Sequence, residues 1–318
     1  HSDLRRQRQM CIRDSNNRIG KVGAGNLIAN QETGIHLTNS SQHSIVRGNL
    51  IGLKADTTAG GFGITYDGIH VTTFSSFNMI GGCNPGQGNI IGDSDIGILF
   101  EGGGADNDTV YGNFVGITPT SLDIGNSYAG IGFFAAINDI QVGSISAGCA
   151  NEIAFNGLGV VTDGIGNSAV QISGNSFHDN TGIGIDLDDD GQNVPLSAGS
   201  AIDNDNAQTP QLNSATDCGG GVNLELVLEV TETVRIEVFK AADGEEGDSL
   251  ITQQDVAFTS GVPQVMSLPS LTLGMNIVVT ATFDGGGGFK NTSEFSAALT
   301  VTQTPVSYTH LRAHETEA

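Results

Sequence analysis

Tryptophan is absent from this 318-residue chain, and aromatic residues make up only 6% of it. Lysine and arginine number 12 against 35 acids, a formal net charge of −23. A chain this short of positive charge repels nucleic acid and anionic membrane surfaces, and suits cations and neutral ligands better. No run of about eighteen apolar residues occurs, so nothing reads as a membrane-spanning helix. The four cysteines form no CxxC pair and no Cys/His cluster, which leaves out the usual zinc patterns. An apolar period near 3.6 residues is also missing, so amphipathic helices are not expected.

What the chain has instead is glycine, 46 of them, with much asparagine and aspartate. One phrase recurs: asparagine, any residue, then a large apolar residue. It stands at Asn26-Leu27-Ile28, Asn49-Leu50-Ile51, Asn89-Ile90-Ile91, Asn113-Phe114-Val115, Asn151-Glu152-Ile153 and Asn175-Ser176-Phe177. The steps between these asparagines are 23, 40, 24, 38 and 24 residues. Short and long turns therefore alternate. An internal repeat of this kind decides the architecture before local detail does. A second strand signal follows each phrase, as in Gly34-Ile35-His36-Leu37 and Gly68-Ile69-His70-Val71, and a looser third appears at Ile45-Val46 or Thr109-Val110. Each run is short, alternating, and bounded by Gly, Asn, Asp or Ser, the mark of strands with one buried face.

Three short strands per turn over about six turns predict a right-handed parallel β-helix with three sheets across residues 16–190. The asparagines should stack at a bend and bond one another, as buried amides must. Ile28, Ile51, Ile91, Val115, Ile153 and Phe177 should stack beneath them as one line of the core. The extra length of the long turns falls in Leu53–Tyr66, Ile117–Tyr128, Gly81–Gly88 and Gly143–Ala150, expected as loops projecting from one side.

After Asp190 the composition changes. Residues 191–210 read as a linker or a cap over the open end of the solenoid. From about Gln211 the strands lengthen: Val222, Leu224, Leu226, Leu228 and Val230 share one face, with Asn223, Glu225 and Glu229 on the other. About seven such strands in residues 211–305 predict an antiparallel, immunoglobulin-like β-sandwich.

The two ends do not follow the pattern. Arg5–Asp14 and Val306–Thr316 resemble translated sequencing-adapter DNA, so residues 1–15 and 306–318 are set aside from the fold. What remains carries seven bases and thirty-one acids. Its composition is that of an extracellular solenoid rather than a cytosolic enzyme. Cys83 and Cys149 lie in equivalent loops two turns apart, roughly 10 Å at the usual strand spacing. A disulfide needs Cα atoms within about 7 Å, so only swinging of the loops could join them.

The phrases GNLI, GNFVG, ANEIAFN, ISGNSFHDNTGIGIDLDDDG and KNTSEFSAALTVT resemble bacterial right-handed β-helix repeat proteins with a pectin-lyase-like solenoid. The resemblance spans nearly all of residues 19–302. It implies a secreted or surface protein whose solenoid is followed by a sandwich. It is poor for activity, because that solenoid carries lyases, hydrolases and non-enzymatic adhesins alike.

The densest carboxylate cluster is Asp186, Asp188, Asp189 and Asp190, followed by Asp203 and Asp205. Asp186 and Asp188 alternate with Ile185 and Leu187 and are expected on a solvent face. Asp186, Asp188, Asp190, Asp203 and Asp205 are the candidate ligands for Ca²⁺, which takes six to eight oxygens. No Glu stands where an EF-hand would need one. The competing reading is a solvated acidic edge that blocks pairing of the last rung. His36 and His70 should stack outward on successive turns beside Asp67, with Leu99 ending the row. A glycosidase needs two carboxylates across a cleft; His178-Asp179 and Asp67 with His70 supply no obvious pair. A uronate lyase needs a basic residue, and Arg47 is the clear solenoid candidate. Tyr66, Phe74, Phe77, Tyr111, Tyr128, Phe133 and Phe134 could stack on sugar rings or pack in the core. The expected function is a non-enzymatic secreted or cell-surface adhesive protein that binds a polysaccharide or another cell-surface ligand. The alternative is a polysaccharide-active lyase or hydrolase.

Overall fold

Two residues between tight corners are enough to make one rung, provided the next rung returns to the same register. The computed structural model describes residues 11–12, 15–135, 137–163, 168–189, 203–241, 246–284 and 288–303. Within them the repeat coils into a parallel β-helix of three sheets. The first sheet stacks Ile35–Leu37, Asp67–Thr72, Ile96–Glu101, Ala129–Phe134, Leu158–Asp163 and Ile185–Leu187. The second runs from Arg18–Ile19 to Ser168–Ile172, and the third from Leu27–Ile28 to Ser176–His178, six strands each. Cys11–Ile12, from the stretch set aside as foreign to the repeat, pairs with His36 and Leu37 as a seventh strand of the first sheet.

The asparagine phrase sets the register of the third sheet. Leu27, Leu50, Ile90, Phe114, Glu152 and Ser176 lie opposite one another in turn. One residue on, Ile51, Ile91, Val115 and Ile153 are fully buried in the core. Each such side chain contributes about 1.5–3 kcal/mol by leaving water. Just before the strands the asparagine amides make a continuous chain. Nδ2 of each donates to Oδ1 of the next, at 3.0 Å for Asn26 to Asn49, then 2.9, 2.9, 3.0 and 2.9 Å up to Asn175. Each Oδ1 also accepts the backbone N–H of the asparagine below it. From Asn49 to Asn151 each Nδ2 has a further acceptor in a carbonyl of the second sheet, such as Ile80 O at 3.0 Å from Asn113, and Asn175 Nδ2 donates to Val142 O at 2.8 Å.

A second ladder, which the sequence reading did not pick out, rises at the corner from the third sheet to the first. Ser94 Oγ donates to Asn126 Oδ1 at 2.6 Å, Asn126 Nδ2 to Asn156 Oδ1 at 2.7 Å, and Asn156 Nδ2 to Asn180 Oδ1 at 3.0 Å. Its signal was the Asn shortly before the strands that follow Gly130, Gly157 and Gly182, masked by unequal spacing and by Ser94 in the rung below. The long loops flank the third sheet: 81–88 and 143–150 on one corner, 53–66 and 117–128 on the other.

Cys83 and Cys149 are joined, with Cα atoms 4.2 Å apart. This corrects the expectation from spacing. The turn between them in the stack, at Gly112, is tight, and Gly112 N donates to Cys149 O at 3.1 Å. The longer loops above and below close over it. A Cβ on Gly148 would lie 2.2 Å from Cys83 O, so only glycine permits this approach.

Beyond the solenoid, strands Gln211–Asp217, Val222–Val227, Gln264–Leu268 and Thr302–Gln303 form one sheet. Thr233–Ala241, Gly247–Ala257, Asn276–Asp284 and Phe289–Thr292 form another, with Leu299–Thr300 at its edge. Leu224, Leu226, Ile236, Val238, Ile277 and Val279 fill the space between them. Pairing is antiparallel except between Gln211–Asp217 and Thr302–Gln303, which run parallel.

This second unit closes the solenoid end, largely through the phrase Asn291-Thr292-Ser293-Glu294-Phe295-Ser296. Asn291 Oδ1 accepts Ala169 N at 2.6 Å, Thr292 Oγ1 accepts Ile172 N at 2.9 Å, and Glu294 Oε1 accepts Leu187 N at 3.0 Å. Phe295 packs edge-on against both Phe177 and Phe239, with centroids 5.5 Å away in each case. Glu237 tops the first asparagine ladder, accepting Gly174 N at 2.8 Å and the Ser173 hydroxyl. Glu246 tops the second, taking both the backbone N–H and the amide of Asn180.

Candidate binding groove

Loops 53–66 and 117–128 stand at the corner from third sheet to first, directly over the second ladder. Between them lies an open groove of about 560 Å³. Asp93, Asp95 and Asp123 line it with hydroxyls and amides of Thr65, Ser127 and Asn156, and no lysine or arginine is among its lining residues. Two of the carboxylates are positioned by loop backbone: Gly60 N donates to Asp93 Oδ2 at 3.0 Å, and Gly125 N to Asp123 Oδ1 at 2.9 Å. Asp95 Oδ1 accepts the Ser127 hydroxyl at 2.8 Å. Sequence reasoning missed all three, because nothing in the phrase Gly92-Asp-Ser-Asp95 says that a loop thirty residues later will face it.

The groove leads onto the outer face of the first sheet. Here His36 and His70 stack as expected, with ring centroids 4.9 Å apart and planes 17° from parallel. Leu99 takes the next place in the row. Asp67 Oδ2 is 3.2 Å from His70 Nδ1. Glu101 Oε2 is 3.2 Å from His70 Nε2, near enough for attraction but not aligned as a hydrogen bond. Burial pushes the Asp67 carboxyl up to about 6, helped by the charges of Asp95 and Glu101. Burial also lowers the pKa of His70, as does His36 beside it. The strip thus sets a carboxyl that keeps its proton into mildly acidic solution beside an imidazole whose charged form burial disfavours.

The other expected residues are dispersed. Asp186 is buried rather than on a solvent face, opposite Val161 in the first sheet. Tyr128 lies at that end, its hydroxyl donating to Asp189 Oδ2 at 2.6 Å. Burial and then the carboxylates of Asp189, Asp163 and Asp186 push the pKa of this phenol up. Asp188 turns the chain at φ 72°. Asp205 accepts Asn291 Nδ2 at 2.9 Å, at the end of the second sheet. Asp190 lies outside the described residues, as does the side chain of Asp203. Among the described residues no three His, Cys, Asp or Glu side chains converge as a metal shell.

His178 sits on the third sheet between Asp179 at 2.8 Å and Glu152 at 3.4 Å. Burial disfavours its charge, but these carboxylates outweigh it and raise its pKa. Of the aromatics, Tyr66, Phe74 and Phe77 are exposed, while Phe133 is core, stacked on Phe100 at 5.1 Å. Phe74 and Phe77 are held outward at φ 57° and 58°, a region bulky residues rarely adopt. Arg47 is half-buried at the corner between second and third sheets. No family model matches this chain, and no curated protein is similar enough to count as a relative.

Proposed function

We propose that this is a non-enzymatic secreted or cell-surface protein that binds carbohydrate in the groove between loops 53–66 and 117–128. The supporting observation is the lining itself: three carboxylates among hydroxyls and amides, open along one side, with no cation. Carboxylates accept hydrogen bonds from sugar hydroxyls or amino groups and repel uronates. Neutral or amino sugars fit such a wall. The exposed ring of Tyr66 adjoins it, since Asp95 N donates to Tyr66 O at 2.7 Å. A disulfide is the bond of an oxidising compartment, which agrees with a place outside the cell. A pectin-lyase-like origin for the solenoid is part of the same reading.

One observation favours the rival. Asp67, poised about 6, neighbours Asp95, and a carboxyl raised by burial beside a second carboxyl group is what acid–base hydrolysis of a glycoside uses. A glycan array run beside a reducing-sugar assay separates the two. Binding without turnover, lost in Asp95→Asn, supports the adhesive reading. Turnover abolished by Asp67→Asn or Asp95→Asn replaces it with a hydrolase. Ca²⁺ at Asp186, Asp188 and Asp190 belongs to the proposal as a brace, and an unchanged melt on adding EDTA withdraws it.

A further inference from the structure

The outer face of the third sheet differs from the rest of this acidic molecule. Its outward row reads Leu27, Leu50, Ile90 and Phe114 over four successive rungs, with no acid until Glu152. Leu27 at the lower end is 47% exposed, and Val22, 44% exposed, lies against Gly86 of loop 82–88. At the upper end the row is recessed. Loop 82–88, clasped by the disulfide, walls one side and Pro119 the other, making an apolar groove of about 650 Å³ floored by Ile90 and Phe114. No charged side chain lines it.

We infer that this face packs against a second copy of the chain, with the two solenoid axes antiparallel. Three features select that occupant. A row of side chains at rung spacing, roughly 4.8 Å, interdigitates best with another row of the same pitch, and a second copy carries one. The face has an exposed leucine at one end and a recess at the other, so a two-fold axis seats each Leu27 in the partner's groove over Phe114, twice. Charge runs the same way. Lys21 and Arg47 flank the lower rungs, and Glu152 and Asp179, two carboxylates with the imidazole of His178 between them, the upper, so reversed axes bring the basic end of each copy toward the acidic end of the other. Elsewhere the copies repel, with net charge −23 on each.

The test is sedimentation velocity on the full chain over a wide concentration range. Wild type is expected to dimerise. Phe114→Lys, a change at an outward position, is expected to weaken association by roughly a hundredfold while leaving the far-ultraviolet circular dichroism unaltered. Adding Leu27→Glu to that variant should restore the dimer, because the two positions face each other across the two-fold. Within one chain they are three rungs apart, roughly 14 Å, too far to pair. Thr109→Lys, on the outer face of the second sheet, should change nothing. A wild type that stays monomeric, or a dimer indifferent to Phe114→Lys, overturns the proposal. Failure of Leu27→Glu to rescue overturns the antiparallel arrangement.

Discussion

Removing one amide from the middle of the asparagine ladder should cost far more than removing one from its end. Asn113 is 1% exposed and makes five side-chain bonds, the longest from Nδ2 to Tyr111 O at 3.2 Å. Its Nδ2 donates to Ile80 O and Asn151 Oδ1, both at 3.0 Å, and its Oδ1 accepts Asn89 N at 3.0 Å and Asn89 Nδ2 at 2.9 Å. After Asn113→Ala, Asn89 Nδ2 keeps Val46 O and Asn151 Oδ1 keeps the backbone N–H of residue 113. The Asn89 N–H loses its acceptor and Ile80 O loses a donor. An orphaned buried group costs about 1–3 kcal/mol, so with the small cavity the loss is roughly 3–5 kcal/mol. Asn26→Ala at the first rung leaves Asn49 Oδ1 still bonded to the backbone N–H of residue 26, and should cost about 1 kcal/mol. Urea unfolding followed by circular dichroism measures both. Equal midpoints for the two variants would refute the ladder as a source of stability. Asn113→Asp sharpens the test. Its oxygen would face Asn151 Oδ1 and Ile80 O, so the carboxyl is held protonated in the fold. A folded pKa above the unfolded one means stability is present at low pH and lost as pH rises, so this variant should weaken with pH more steeply than Asn113→Ala.

Three further outcomes are expected. Reducing the bridge between Cys83 and Cys149, 66 residues apart, should lower stability by about 4 kcal/mol in the loop-closure account; titratable thiols at both positions in the denatured, unreduced chain would remove its premise. Burial raises Asp67 to about 6 and Asp108 to about 8, so their contribution is complete below the ordinary carboxylate pKa and lost as pH rises through those values. The melting temperature should therefore fall between pH 5 and 9, roughly, and Asp108→Asn should flatten the fall. Glu237→Ala leaves Gly174 N and the Ser173 hydroxyl without their acceptors at the top of the first ladder, and limited proteolysis should then cut near residue 174 before the wild type is touched.

The three-sheet coil was legible because asparagine and the apolar residue two places later must point the same way, and the phrase returns in register. The sandwich was legible from period-two alternation at Val222 to Val230. Neither pattern speaks of what loops do to one another. The disulfide is the clearest case: rung spacing argues against it, and only the tight Gly112 turn lets the flanking loops meet. The groove is similar, since Asp93 and Asp123 belong to different turns and meet through loop length rather than motif. Alternation also misled at Asp186. Facing outward from a sheet guarantees solvent only if nothing covers the face, and here Tyr128 lies close by.

A solenoid has a problem that a closed barrel lacks, because its last rung presents unpaired backbone groups on three sheets at once. Another strand cannot cap all three, since they face three directions around a triangle. Side chains can. Asn291 and Thr292 reach the second sheet, Asn204 takes Val170 N at 2.8 Å, Glu294 the first sheet, and Glu237 and Glu246 the two asparagine corners. Phe295 fills the core that would otherwise lie open. A strand edge offers N–H and C=O groups in alternation: Asn204 serves both on Val170, its Nδ2 donating to Val170 O at 2.9 Å, and for the remaining N–H groups carboxylates are the strongest acceptors among side chains. Glu237, Glu246 and Glu294 therefore need no cation to explain them: the backbone donors of the last rung already fill that role.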